Sequence, residues 1–135
     1  MGIFEMNGYL LDTHIWIWYL YGSDRITEQT KTIMESTSSD CWISPISVRE
    51  IGVLTMKGKI TLESDLRDWV ERTLSILPLR IAPLNLEISI RSCEIDLATG
   101  DPADHIILAT AEVLDLHLIT ADQALLEQKY VKALF

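Results

Sequence analysis

Cysteine is scarce: Cys41 and Cys93 are the two among 135 residues. That excludes a disulfide scaffold, and their spacing fits no metal-ligand motif. Both read as reduced core residues. Positive charge is scarce as well. Lys and Arg total 11 against 20 Asp and Glu, a net charge of −9. This balance argues against a protein that coats nucleic acid through a basic surface. It still admits a nucleic-acid enzyme whose acids gather around metal ions. Long apolar runs are missing. The longest, Ile15 to Leu20, is far too short to cross a bilayer. The first residues lack the basic, apolar and small-residue pattern of a secretory leader. No glycine-rich G-x-x-x-x-G-K loop occurs, which argues against a nucleotide hydrolase. There is no internal repeat, linker or low-complexity segment. The expectation is a cytoplasmic protein, with residues 1–135 forming one domain large enough for a core.

What is present is an alternation of short apolar runs and amphipathic stretches. The chain is organised around Gly8-Tyr9-Leu10-Leu11-Asp12-Thr13-His14. Tyr9 to Leu11 reads as a strand buried on both faces, and it ends on a carboxylate. A nearly all-apolar helix follows from Thr13 to Tyr21, stopped by Gly22. Its Trp16, Trp18 and Tyr19 suit burial or a subunit interface. Thr27 to Ser38 reads as a second helix, with Ile33 and Met34 inward, and Ser36 to Asp40 as a turn. Cys41 to Ser44 reads as a second strand broken by Pro45. Ser47 is expected to open a helix that Gly58 ends. Ser64 to Ile76 carries Leu66, Trp69, Val70 and Leu74 on one stripe. Leu79 to Ala82 is a brief third strand. Asn85 to Ile95 reads as a helix with Leu86, Ile90 and Cys93 at core spacing. A long apolar helix starts at Gly100-Asp101-Pro102, with the Pro near its first position. Leu116 to Thr120, Asp122 to Gln128 and Val131 to Leu134 read as strand, short helix and strand. The alternation indicates an α/β fold with a mostly parallel sheet.

Four acids stand at the ends of these elements: Asp12, Glu50, Asp104 and Asp122. Each has an ordinary explanation. Asp12 and Asp122 suit helix caps. Ser47-Val48-Arg49-Glu50 fits a capping box, with Glu50 reaching back to the Ser47 N–H. Asp101 suits a cap with Asp104 in the first helical turn, favoured by the helix dipole. Together they point elsewhere. In a right-handed parallel α/β sheet those ends share one edge, where reactive groups collect. Like charges gathered there are unfavourable unless a cation neutralises them. Oxygen-only ligands favour Mg²⁺ or Mn²⁺ over zinc, and such ions serve phosphoryl chemistry.

Four segments carry a specific resemblance. Leu10-Leu11-Asp12-Thr13-His14 is the first, and Ser44-Pro45-Ile46-Ser47-Val48-Arg49-Glu50 is the second. Asp101-Pro102-Ala103-Asp104-His105-Ile106-Ile107-Leu108-Ala109-Thr110-Ala111 follows, then Ile119-Thr120-Ala121-Asp122. In order and spacing they resemble the PIN-domain family, and within it the VapC-type toxins of bacterial toxin–antitoxin pairs. The resemblance runs from about Tyr9 to Leu134. It implies a three-layer α/β/α sandwich with a parallel sheet in the order 3-2-1-4-5. It implies an Mg²⁺- or Mn²⁺-dependent endoribonuclease that cuts RNA phosphodiesters. Asp12, Glu50, Asp104 and Asp122 would be its catalytic metal-site residues, with Thr13 and Thr120 as helpers. An antitoxin protein and a homodimer are the implied partners. One departure is His105, where the family commonly has Arg. The shorter side chain implies a weaker salt bridge or phosphate contact, not a missing metal ligand.

The remaining candidates are weighed on residue chemistry. His14 reads as packed or hydrogen-bonded near the site rather than as a ligand, and His117 as structural. Trp16, Trp18, Trp42 and Trp69 read as core or dimer contacts rather than base-stacking platforms. Of the basic residues, Arg49, Lys57 and Lys59 are placed to hold RNA phosphates beside the acids. Most others read as solvated helix faces. A non-catalytic binding or assembly module on the same fold is the alternative function. It gives no reason to keep all four acids. An aspartyl phosphatase built on Asp12 is weaker, because position 14 is His where that class carries a second Asp.

Overall fold

In a computed structural model residues 7–135 are described. The reading of the first residues for a secretory leader falls largely on residues 1–6 and lies outside them. Within the described residues the chain forms β1 (Asn7–Leu11), α1 (Thr13–Leu20), α2 (Glu28–Glu35), β2 (Ser39–Ile43), α3 (Pro45–Met56) and α4 (Leu66–Ile76). It continues with β3 (Arg80–Ile81), α5 (Leu86–Glu94), α6 (Pro102–Val113), β4 (His117–Ile119), α7 (Gln123–Glu127) and β5 (Ala133–Leu134). The strands form one sheet in the order β3-β2-β1-β4-β5. Every pairing is parallel. The expected α/β architecture and strand order are both found.

Period-two alternation sorts the strand side chains onto two faces. Leu10 and Leu118, opposite one another in register, join a core with Ile88, Ile95, Ile107, Leu108 and Leu125 of the α5–α6–α7 side. Leu11 and Ile119, the next pair along, join Cys41 and Ile43 in a second core. That core holds Ile15, Trp16, Ile51 and Trp69 from α1, α3 and α4. The sheet is thus covered on both sides, which is why its central strands read as unbroken apolar runs. No helix among the described residues is long and apolar enough to cross a membrane.

The helix starts are chemically determined. Thr27, Ser44, Asp65, Asn85, Asp101 and Asp122 each accept a backbone N–H from the first turn of the helix that follows. Pro45 and Pro102 occupy first helical positions, where a missing N–H costs nothing. Gly22 and Gly58 close α1 and α3 at φ of 61° and 70°, a region that favours glycine.

Several sequence readings need correction. α3 opens at Pro45 on a Ser44 cap, not at Ser47. The Ser47–Glu50 capping box therefore does not form. Ser47 lies inside the first turn, and its buried hydroxyl faces Thr13 instead. α2 ends at Glu35 because Ser36 turns extended, and β2 begins earlier, at Ser39. On α5 the expected core stripe is the wrong one. Leu86 is 76% exposed, Ile90 is 48% exposed and Cys93 is exposed. Ile88, Ser92 and Ile95 carry the same i, i+4, i+7 spacing and face the core instead. Arg91 helps fix that choice by reaching Glu112 on α6. Cys41 is buried as expected, and its apolar surroundings raise the thiol to about 11. Trp16 is wholly buried, 5.1 Å from the Trp69 ring, and so is not available to a dimer contact.

Candidate active site

The sheet order reverses direction at β1, which lies between β2 and β4. A crevice opens at the carboxyl ends of strands at such a point. Asp12 stands there. Its N–H donates to the Ile119 carbonyl at 2.9 Å and carries the β1–β4 ladder one residue further. Its side chain is nearly buried, yet both oxygens have partners. Oδ1 accepts the Thr13 N–H at 2.8 Å, and Oδ2 accepts the Thr120 hydroxyl at 2.7 Å. Thr120 holds Asp122 too, since its Oγ1 accepts the Asp122 N–H at 3.0 Å. Asp122 caps α7, as expected, through the Leu125 N–H at 3.1 Å.

The other acids arrive from the helices. Glu50 reaches over from α3 and accepts the Thr13 hydroxyl. That hydroxyl also lies 2.8 Å from Ser47 Oγ, so Thr13 ties α1 to α3 at the crevice. Asp104 sits in the first turn of α6, with the Thr99 hydroxyl 3.4 Å from Oδ2. Asp101 caps the same helix through the Ala103 N–H at 3.0 Å. Asp12, Glu50, Asp101, Asp104 and Asp122 line one open pocket of about 310 Å³, with His14, Trp18, Arg25 and Ala121. None of the five carboxylates is ion-paired among the described residues.

Burial and mutual repulsion set the electrostatics. Asp12 is held above the usual carboxylate range by loss of water, against the bonds from Thr120 and Thr13. Glu50 is raised by burial, partly offset by Thr13, with Asp12 and Asp101 adding to the rise. Asp104 is pushed to about 7, first by burial and then by the charges of Asp101, Asp12, Asp122 and Glu50. Such a group takes up a cation readily, because one ion relieves several repulsions at once. The donors are all carboxylate oxygens, the chemistry of Mg²⁺ and Mn²⁺. Among the described residues no three Asp, Glu, His or Cys side chains come close enough to enclose an ion alone. The residues fit an ion that keeps several water ligands, as Mg²⁺ does.

A second groove, of about 480 Å³, shares Glu50 and Asp101 with the pocket and runs along α3. Arg49 and Lys57 line it, with Ile46, Val53, Leu54 and Pro102 as apolar walls. Lys59 is exposed but stands outside that lining. His14 is exposed at the pocket rim, its ring centroid 5.7 Å from that of Trp18. His117 is half-buried against Tyr9. His105 Nε2 lies 2.8 Å from the Thr99 carbonyl, which can only accept, so this nitrogen carries the hydrogen. It ties down the loop before α6. Sequence reasoning missed three residues. Ser47 and Asp101 read in the sequence as caps alone. Arg25 comes from the α1–α2 loop, which no motif singles out.

The family model for the PIN domain matches residues 9–130. The chain belongs to the PIN-domain family. The match spans Asp12, Glu50, Asp104 and Asp122. Solved PIN-like folds resemble it over nearly their whole length. VapBC2 from Rickettsia felis, bound to a promoter DNA fragment, aligns at TM-score 0.68 with 16% identity, covering 93% of this chain and 96% of that one. FitAcB from Neisseria gonorrhoeae aligns at 0.62 with 25% identity, covering 93% and 95%. A toxin–antitoxin complex from Klebsiella pneumoniae aligns at 0.58 with 26% identity, covering 88% and 90%. No curated protein matches the chain in sequence.

Proposed function

We propose that this PIN-domain chain is a metal-dependent endoribonuclease and the toxin of a toxin–antitoxin pair. Asp12, Glu50, Asp104 and Asp122 are its metal-site and catalytic residues, and Mg²⁺ or Mn²⁺ is its cofactor. One observation carries the reading. Acids from four separate segments converge on one pocket at the sheet's switch point, with no ion pair among the described residues to compensate them. A structural role explains each acid singly but not their convergence, which adds to burial in raising Asp104 to about 7. The toxin–antitoxin part is supported by the likeness to the Klebsiella pneumoniae complex.

A bound divalent ion supplies positive charge opposite the scissile phosphate and makes water a competent nucleophile near neutral pH. The chain's own residues prepare the place for it. Thr120 and the Thr13 N–H fix both oxygens of Asp12. The Thr13 hydroxyl fixes Glu50 and, with Ser47, holds α1 and α3 in register. Side chains locked in this way lose little freedom when the substrate arrives. Arg49 and Lys57 in the adjoining groove, with Lys59 beyond it, hold RNA phosphates away from the cut. The net charge of −9 disfavours indiscriminate RNA binding, so a folded or sequence-marked RNA is the target.

The partners are an antitoxin and a second copy of this chain. Because Trp16 is buried and Trp18 lines the acidic pocket, a dimer contact on α1 falls to the half-buried Tyr19. Light scattering at several concentrations should give twice the chain mass. Expression of the wild type should arrest growth and create new 5′ ends in cellular RNA, while Asp104→Asn should do neither. Identical RNA profiles from the two would leave the non-catalytic scaffold as the better account.

A further inference from the structure

Arg25 lines the same pocket as the five carboxylates. It is exposed, and among the described residues its guanidinium forms no ion pair. Its guanidinium carbon lies 5.5 Å from the centre of the Trp18 ring. The loop that carries it is fastened at both sides. The Ser23 N–H donates to the Trp18 carbonyl at 2.9 Å, and the Arg25 N–H donates to Ser23 Oγ at 3.2 Å. The Ile26 N–H closes the loop onto the Ser23 carbonyl at 3.3 Å. A cation–π contact holds a guanidinium by its flat face and leaves its N–H edges for other acceptors. Trp18 thus holds the arginine at the pocket, where it forms no ion pair among the described residues.

With no ion pair among the described residues, the Arg25 fork beside the carboxylate cluster is open to an incoming anion. Phosphate matches that fork bidentately. We propose that Arg25, seated on Trp18, grips a phosphate of the RNA chain at the mouth of the acidic pocket. This rests on the ribonuclease reading and adds to it the residue that receives the strand. The phosphate is common to every RNA, so the contact positions the chain and reads no base.

The test uses Asp104→Asn protein, in which turnover is blocked, and single-stranded RNA oligonucleotides of two unrelated sequences carrying a fluorescent label. Polarisation titrations at several salt concentrations give Kd and its salt slope. Adding Arg25→Ala should raise Kd on the order of ten- to a hundredfold for both RNAs, the range of a lost charged hydrogen bond. It should also flatten the salt slope by about one. Arg25→Lys, which keeps the charge but not the fork, should fall between. Unchanged Kd and slope in Arg25→Ala, with RNA still bound by the Asp104→Asn parent, overturn the role of Arg25 alone. A loss confined to one RNA sequence overturns it too, since Arg25 would then read a base. Failure of the parent to bind either RNA, together with no cleavage by the wild type, overturns the ribonuclease reading itself.

Discussion

Removing the charge of Asp104 should stabilise the metal-free protein at alkaline pH. Its carboxyl is raised from 3.8 to about 7 by burial and by four neighbouring acids. A raised acid favours the folded state only while protonated. The folded chain holds the proton between the two values and the unfolded chain does not, so stability falls as pH rises through that window. Above pH 7 the whole penalty is present. At about 1.36 kcal/mol per pKa step, the full rise corresponds to a ceiling of about 4 kcal/mol. Asp104 is only half-buried, and water at the open pocket screens it, so about 1–2 kcal/mol is the realistic share. Asp104→Asn keeps the shape and removes the charge, giving up little through the 3.4 Å Thr99 contact. In excess chelator at pH 8 its Tm should exceed that of the wild type by roughly 4–8 °C for a chain of this size. At pH 4, near the unfolded pKa, the gap should shrink to little. Saturating Mn²⁺ should reverse the order at pH 8, because the ion stabilises only the protein that binds it. A gap that is absent at pH 8, or that is the same at both pH values, would refute the electrostatic argument.

Other outcomes follow from the same geometry. Calorimetric titration with Mn²⁺ should show binding to the wild type and none to Asp12→Asn, and equal binding would remove Asp12 from the metal site. Affinity should rise from pH 6 to pH 8 with proton release, because the ion must displace the proton held at about 7 by Asp104. Thr13→Val should lower cleavage by about tenfold or more, since Glu50 loses the donor that orients it. It should also cost about 1–2 kcal/mol in urea unfolding, because the buried Ser47 hydroxyl loses a partner. Normal cleavage by that variant would show that Glu50 needs no tether. Ile107→Ala, in the wholly buried core under α6, should cost about 2–5 kcal/mol of stability. A loss under 1 kcal/mol would mean the packing there is looser than the structure shows.

The strands were legible because a parallel sheet covered on both faces writes continuous apolar runs, while their order came only from the resemblance to the PIN-domain family. Leu10 and Leu11 feed opposite cores, and the sequence shows them simply as two adjacent leucines. Asp12, Asp104 and Asp122 were legible because each stands at the end of a strand or the start of a helix, whereas Glu50 lies in the second turn of α3 and not in the first turn that the sequence suggested. Local chemistry was less decisive where two patterns compete. Pro45 at a first helical position outweighed the Ser47–Glu50 box, which moved Glu50 from a cap to the pocket. α5 carries two stripes of equal spacing, and tertiary packing of Ile88 and Ile95, with the Arg91–Glu112 pair across to α6, selects between them. Asp101 was legible as a cap and is one, but its second position in the pocket depends on tertiary placement. Arg25 had no signal at all. Its loop reaches the acids through the fold, and its partner Trp18 reads in the sequence as a core or dimer contact.

The central claim is that this carboxylate pocket cuts RNA with a divalent ion. The most direct measurement is a cleavage assay of the purified wild type on cellular RNA, run with Mg²⁺, with Mn²⁺ and with excess chelator, beside Asp12→Asn and Asp104→Asn. We predict discrete new 5′ ends with either ion, none in chelator, and a rate lower by on the order of a hundredfold or more in both variants. Cleavage that persists in chelator, or that matches the wild type in either variant, would contradict the account.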